Sequence, residues 1–482
     1  MEELDLLPGS LSDAGNADRL IRWAGANFLH VAGIGWHRWK GSRWRRDGVG
    51  EVMEACKDTA AIALRQAKAH YGPILASSPE KSSEYKAAAR GIAHFAGMEN
   101  IGRLRAMRDL AETDLRVAVD NSDIDGNPYL IATSKTTFDA KTCAHRDPTR
   151  ADLLTVGTDV EPQGEPFHDS RWSQFLAEIQ PDPEVREFMQ RAIGCSLIGV
   201  QRDHVIFFAH GDGQNGKGSF FRAIHAAVGD YYTSIPSSML MEARNQPHAA
   251  QVADLMGKRL VVSSEVARGA KLDEVKVKEL TGGDLIKAQF MRENWFSFKP
   301  SHTLWICGND KPKITGTDRG IWRRMRLIPF TQTFAVADRT LDDTLAAEAG
   351  IILQWCLDGV VAYMRDGLGE CEAIDGATAE YRADQDLLGA AIGEICDTGA
   401  DLTVAKTQFR AALRKYYEDA GLSYVASDQA LKSELARRGI QSVRPTRTDG
   451  WCWQGIALKP EIADQLSTAD LSRSHRPSWH DR

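Results

Sequence analysis

The sequence has little of what marks several common protein classes. Its eight cysteines, at positions 56, 143, 195, 307, 356, 371, 396 and 452, contain no C-x-x-C pair. That spacing supports neither a zinc site nor a disulfide framework, and it suits a reducing cytosol. No apolar run approaches the ~18 residues of a membrane span. Met1-Glu2-Glu3 does not begin a signal peptide. The expectation is a soluble, cytoplasmic protein with no membrane partner. Surplus positive charge is missing too: 26% of residues are charged and the formal net charge is −7. Contact with nucleic acid must therefore use a local basic surface. No internal repeat or low-complexity segment is evident. What is present is ordinary globular composition, 43% hydrophobic over 482 residues, enough for two to four domains with a large core.

Residues 1–11 read as a loose leader. Asn16-Ala17-Asp18-Arg19 opens a helix, with Asp13 or Asn16 as its cap. Gly35 to Trp44 alternates aromatic and polar residues around Gly41, a hairpin pattern. Its three tryptophans, interleaved with Arg and Lys, could stack on nucleic acid, although such a stripe more often forms the buried face of a small sheet. Two helical stretches and a loop-rich segment complete residues 12–164. An alternating α/β region and further helices fill 165–384, a small mixed domain spans 385–460, and 461–482 reads as a disordered tail.

The most informative stretch is Val205–Ala209, an apolar run, followed by His210-Gly211-Asp212-Gly213-Gln214-Asn215-Gly216-Lys217-Gly218-Ser219-Phe220. A strand entering a glycine-rich turn, with a lysine at the start of a helix, is the layout of a phosphate-binding loop. Backbone N–H groups converge on a polyphosphate, and the lysine reaches its β/γ oxygens. Residues 211–220 are thus the candidate nucleotide contacts. The usual Mg²⁺-binding hydroxyl directly after the lysine is replaced by Gly218, leaving Ser219 as the fallback ligand. The competing reading is a Gly/Asn surface turn.

Downstream, Lys258 to Val266 reads as a buried strand ending in Glu265. A carboxylate there can hold Mg²⁺ through water or orient the attacking water in nucleotide hydrolysis, although a strand-end glutamate is commonly only solvated. Thr303 to Asp310 is a third strand, ending at Asn309, which can sense the γ-phosphate or serve as a plain turn former. The basic run around Arg323 and Arg324 could offer a guanidinium to a neighbouring subunit's nucleotide, or be a solvated face.

Together, Gly211–Ser219, Arg259–Glu265, Lys278–Asp284, Trp305–Asn309 with Pro312, and Trp322-Arg323-Arg324 running to Phe330 resemble the superfamily 3 helicases. More narrowly, they resemble the helicase portion of phage and plasmid primase-helicases, the satellite-phage and poxvirus type. The likeness extends to the N-terminal helix and hairpin, to Leu345–Gly359 with Glu348, Ile351 and Trp355, and to a C-terminal winged helix. It covers about Ser12 to Lys459. It implies an AAA+-like α/β P-loop ATPase core, preceded by a mainly helical domain and followed by a winged helix.

Carried over by position, Lys217 binds phosphate, Glu265 is the Walker B acid, Asn309 the sensor, and Arg323 or Arg324 the arginine finger. The cofactors implied are ATP and Mg²⁺, with Ser219 and Glu265 as metal-binding candidates. The family's DNA-contacting hairpin falls at Gly282 to Pro300. Lys278, Lys287 and Arg292 are its DNA-contact candidates, while Trp295, Phe296 and Phe298 are expected mainly as core. Three departures stand out: Gly218, Gln289 where the family often has arginine, and Ser264 before a lone Glu265. The expected function is ATP-dependent DNA unwinding by a homo-oligomeric ring, usually a hexamer, in phage or mobile-element replication. With only a dozen residues ahead of the N-terminal region, any priming is expected from a separate primase. The rival readings are an origin-binding initiator, a protein-remodelling ATPase and a non-enzymatic nucleotide-binding scaffold. In the C-terminal domain, Lys432, Arg437, Arg438, Arg444 and Arg447 supply charge for DNA, or the domain docks protein.

Overall fold

The computed structural model describes residues 4–164, 167–243, 249–263, 265–289, 295–314, 319–336, 338–420, 428–444 and 450–466. Packing divides the chain into two units, Met1–Pro312 with Arg323–Asp375, and Lys313–Trp322 with Gly376–Arg482.

The first unit begins with helix α1 (Asp13–Ala24), whose first turn is closed by the Ser12 hydroxyl accepting from the Gly15 N–H. Arg19 on this helix is fully buried. It donates to the carbonyls of Leu6, Leu7, Gly9 and Ser10. One guanidinium thereby gathers residues 6–10 onto the helix, and Leu6 is completely buried. Within the segment expected to be a loose leader, residues 6–10 are therefore tied to the helix, while residues 1–3 lie outside the described residues.

Strands β1 (Phe28–Val31), β2 (Gly35–Trp39) and β3 (Trp44–Arg46) form an antiparallel meander. Helices α2 (Glu51–Ser77), α3 (Ser83–Gly97) and α4 (Ile101–Ala111) follow, and β4 (Ala118–Val119) returns parallel to β1. Trp44 is buried and meets Trp39 edge-on at 5.4 Å. Trp36 and Trp39 are half-buried, so the tryptophan stripe serves mainly as packing.

A second meander, β5 (Leu130–Ala132), β6 (Thr137–Asp139) and β7 (Ala144–Arg146), precedes α5 (Arg171–Ile179) and α6 (Pro183–Leu197). The central sheet then builds from β8 (Ile206–His210), α7 (Lys217–Val228), β9 (Tyr232–Ile235), α8 (Ala249–Ala253), β10 (Leu260–Ser263) and α9 (Glu274–Thr281). A hairpin of β11 (Ile286–Gln289) and β12 (Trp295–Phe298) comes before β13 (Thr303–Gly308). After α10 (Arg319–Trp322), β14 (Met325–Pro329) completes a five-stranded sheet in the order β14-β8-β13-β10-β9. All of its pairings are parallel. Ile206 to Ala209 are wholly buried, as strands covered on both faces require.

Helices α11 (Leu341–Ala347) and α12 (Ala349–Asp366) pack against this sheet's helices. Helices α6 and α12 approach so closely that a Cβ on Gly194 would lie 2.1 Å from the Gly359 carbonyl carbon. Only glycine permits that approach. Glu348 accepts from the Arg171 and Trp172 N–H groups at the start of α5.

The N-terminal elements and the parallel sheet are bonded across position 164. Arg43, with 2% of its side chain exposed, pairs with Asp159 and Asp230 at 3.2 and 3.1 Å. It also donates to the Thr158 carbonyl. Arg259 donates to the Leu130 and Leu197 carbonyls, both at 2.7 Å, and its guanidinium covers the Tyr231 ring at 4.5 Å. The Tyr231 hydroxyl accepts from Ala132 and donates to Val156. Buried guanidiniums are rare unless paired, and here they join the portions expected as separate domains into one unit.

The second unit contains α13 (Glu372–Gln385) from Gly376 onward, α14 (Leu387–Ile395), β15 (Cys396–Ala405), α15 (Lys406–Asp419) and α16 (Asp428–Arg437). Strands β16 (Gln441–Val443) and β17 (Cys452–Leu458) and helix α17 (Pro460–Asp464) complete it. The antiparallel sheet has the order β15-β17-β16. Phe409, Leu435 and Ile456 are fully buried in its core. Arg438 is clamped by Asp386 and Glu434, and Arg437 lies 3.6 Å from Glu434. Two of the basic groups expected for DNA are thus engaged by carboxylates, while Arg447 lies outside the described residues. No single helix among the described residues is long and apolar enough to cross a membrane.

Candidate functional site

Parallel strands deliver their functional side chains at the carboxyl edge of the sheet. Strand β8 ends at His210, and residues 211–216 turn into α7. The turn needs left-handed backbone at Gln214 (φ 59°) and Gly216 (φ 83°). Gly211 admits no side chain, because a Cβ would lie 2.1 Å from the Phe330 carbonyl oxygen. Asn215 is buried; its Nδ2 donates to the Asp212 carbonyl, and its Oδ1 accepts from the Lys217 N–H at 3.3 Å. One amide side chain therefore braces the loop from inside. Asp212, Gly213 and Gln214 face solvent.

Lys217, only 5% exposed, donates through Nζ to the Gly211 carbonyl at 2.5 Å and to Asn309 Oδ1 at 3.1 Å. Asn309 follows β13, whose Gly308 pairs with His210 of β8. Both bonds from the ammonium go to neutral oxygens. Burial pushes its pKa down, opposed by the Cys307 thiol and the carboxylates of Glu265 and Asp212. A buried cation bonded only to neutral acceptors is stabilised by an arriving anion. Glu265 lies just beyond β10 and is exposed. Lys217, Asn309 and Glu265, separated by up to 92 residues in the chain, are thus brought to one edge of the sheet.

Other expected positions fare differently. The Phe220 side chain is fully buried and stacked on Trp172 at 5.7 Å, part of the core under the loop. A phenyl ring on the inner face of an amphipathic helix is drawn there by the apolar area it removes from water. The Ser219 hydroxyl accepts from Arg222 Nη2 at 3.0 Å. Gly218 offers no hydroxyl, and among the described residues no group of three or more His, Cys, Asp or Glu could hold a metal ion. The loop N–H groups and Lys217 have the chemistry of a phosphate site, and Ser219 Oγ is the hydroxyl beside them that could hold Mg²⁺. Arg323 is exposed, whereas Arg324 is 9% exposed and donates from Nε to Thr281 Oγ1 at 3.2 Å.

Lys278 lies 3.9 Å from Glu274 on its own helix. Lys287 is exposed and lies over the Trp295 ring at 5.2 Å. The pairing of Lys287 with Ser297 and of Gln289 with Trp295 places all four on one face of the hairpin. Trp295, expected mainly as core, is 55% exposed, while Phe298 is buried. Arg292 lies outside the described residues.

Sequence reasoning missed Arg222 and Asp342. Arg222 donates from Nε and Nη2 to the Asp342 carboxylate at 2.9 and 3.2 Å. The available signal was spacing: Arg222 follows Gly218 by four residues, on the same helical face.

Residues 17–181 match a protein family described as D5 N terminal like, and residues 209–324 match a family of unknown function, DUF5906. A candidate helicase of Acanthamoeba polyphaga mimivirus, L207/L206, is 28% identical over 219 residues, 44% of this chain and 23% of that protein. A candidate helicase of Invertebrate iridescent virus 3, 121R, is 28% identical over 231 residues, 46% of this chain and 24% of that protein. The chain thus spans about a quarter of the length of these relatives. The apo C-terminal region of NrS-1 is 14% identical, covering 62% of this chain and 78% of that one, with a TM-score of 0.39. The chain thus carries a D5-type match over its N-terminal third and is similar to viral proteins described as helicases.

Proposed function

We propose that this chain is an ATP-dependent DNA helicase that acts as a ring of identical copies, a hexamer, in the replication of a phage, plasmid or other mobile element. In this reading the parallel sheet is a P-loop ATPase core of the AAA+ type, and the second unit is a winged helix. The observation that carries it is the buried Lys217 ammonium, held between the loop carbonyl of Gly211 and Asn309 of the adjoining strand. Loop N–H groups and Lys217 bind the β- and γ-phosphates of ATP. Asn309, already on Lys217, reports the γ-phosphate to β13. Glu265 receives the proton of the attacking water.

Exposure favours Arg323 over Arg324 as the guanidinium offered to a neighbouring copy, because Arg324 is committed inside its own unit. The Lys287, Gln289, Trp295 and Ser297 face supplies a cation for phosphate and an exposed ring for a base. In this reading the protein works on DNA in the cytoplasm of its host. Strand displacement tests the reading: a forked DNA duplex with one labelled strand is incubated with the protein and ATP. Release of the labelled strand is expected with wild type and ATP, and absent with Glu265→Gln. ATP-independent release, or none by wild type under conditions where ATP is hydrolysed, contradicts it.

A further inference from the structure

We propose that Arg222 is a nucleotide-phosphate ligand, exchanged from Asp342 to the triphosphate, and that Gly218 leaves the room it needs. The inference rests on the ATP reading above and concerns the same loop. Arg222 stands one turn into α7, and its side chain runs back towards the helix N-terminus, the direction helical side chains favour. Its Nη1 lies 3.0 Å from where a Cβ on Gly218 would be, and its Nη2 lies 3.0 Å from Ser219 Oγ. In a strict phosphate loop that position bears the hydroxyl that holds Mg²⁺. Here a guanidinium occupies the neighbourhood, and the hydroxyl is missing.

A cation at a helix N-terminus faces the positive end of the dipole, so the placement needs an anion. In this structure the anion is Asp342, bound through two N–H groups. The pair is open to water, with side chains 60% and 47% exposed, so it is weak and readily exchanged. A bound triphosphate brings more negative charge to the same helix end. Arginine's planar fork binds phosphate without help from a metal. Charge neutralisation usually shared with a protein-anchored Mg²⁺ falls here to Arg222, and Mg²⁺ arrives carried by the nucleotide.

The test is a fluorescence-anisotropy titration of the full chain with a fluorescent, non-hydrolysable ATP analogue, in Mg²⁺ and in excess EDTA. Wild type is expected to weaken less than about threefold in EDTA. Arg222→Gln is expected to lose about tenfold or more in EDTA, the scale of a charge-assisted pair. Arg222→Lys, which keeps the charge without the fork, should fall between them. Asp342→Asn supplies the sign: releasing Arg222 should leave binding unchanged or tighter. Arg222→Gln and Asp342→Asn weakening binding alike would reduce the pair to a structural clip and overturn the proposal. Binding abolished by Lys217→Ala but untouched by Arg222→Gln overturns the proposal alone. No binding by wild type in either buffer overturns the ATP reading and the proposal together.

Discussion

On the proposed reading the glycine loop and the β11–β12 hairpin each present a lysine to a charged ligand, yet they are built oppositely. Around the loop, position is set from below: Phe220 is locked into the core, Asn215 braces the turn, and Lys217 is almost wholly covered. On the hairpin, Lys287 and Trp295 are exposed and lean mainly on each other. A buried, braced cation is pre-organised, so its ligand meets little reorganisation. An exposed cation over a ring tolerates many strand sequences, because every base has a π-face. The contrast suits the proposed motor, which would grip one nucleotide geometry tightly and slide over changing DNA.

Substitutions should separate the two halves of that contrast. The largest effect is expected from Glu265→Gln at the loop. Hydrolysis should fall about a thousandfold, on the scale of a lost general base, while nucleotide affinity changes little; steady-state turnover beside equilibrium binding checks both. An equal loss of binding would mean that Glu265 holds the loop and not the chemistry.

Next comes the frame behind the loop. Arg43→Ala leaves the Thr158 carbonyl and two carboxylates without their buried guanidinium. It should cost about 1–2 kcal/mol in urea unfolding, because both carboxylates left behind are largely exposed and Asp159 keeps Arg45. The N-terminal elements and the parallel sheet should still unfold together, since they form one unit. Separate transitions would break the claim that the frame is shared.

The strand that carries Asn309 offers a pH handle. His302, directly before β13, is fully buried, and burial pushes its pKa from 6.5 to about 4. The unfolded chain then takes up this proton near pH 6.5, while the folded chain refuses it until about pH 4. Stability is full above that window and is lost as pH falls through it, by up to about 1.4 kcal/mol per pH unit. Urea midpoints from pH 7 to pH 4 measure it, and His302→Leu should flatten the slope.

The smallest effect belongs to the hairpin. Trp295→Ala should weaken single-stranded DNA binding about tenfold, as expected for one lost stacking partner, and leave the melting temperature nearly unchanged. A large drop in stability would return Trp295 to the core.

Much of the loop was legible in the sequence because its chemistry is local: the glycines, Lys217 and the strand before them are contiguous. Glu265 and Asn309 could be placed because buried parallel strands end in recognisable ways. Less legible were groups defined by distant partners. The sequence around Arg19, Arg43 and Arg259 does not show their acceptors, and only folding shows them buried against carbonyls 13, 115 and 129 residues away. The burial of the Phe220 side chain was not legible, because a motif window ignores which helical face a residue takes. Trp295 went the other way, since alternation in a two-stranded hairpin says which residues share a face but not which face is covered. Arg222 and Asp342 were invisible as a pair, lying 120 positions apart.

The measurement that bears most directly on the motor reading is ATP turnover by the wild-type chain with and without single-stranded DNA, beside Lys217→Ala. Turnover stimulated severalfold by DNA and abolished by the substitution is the expected result. Turnover indifferent to DNA, or surviving the loss of Lys217, would contradict it.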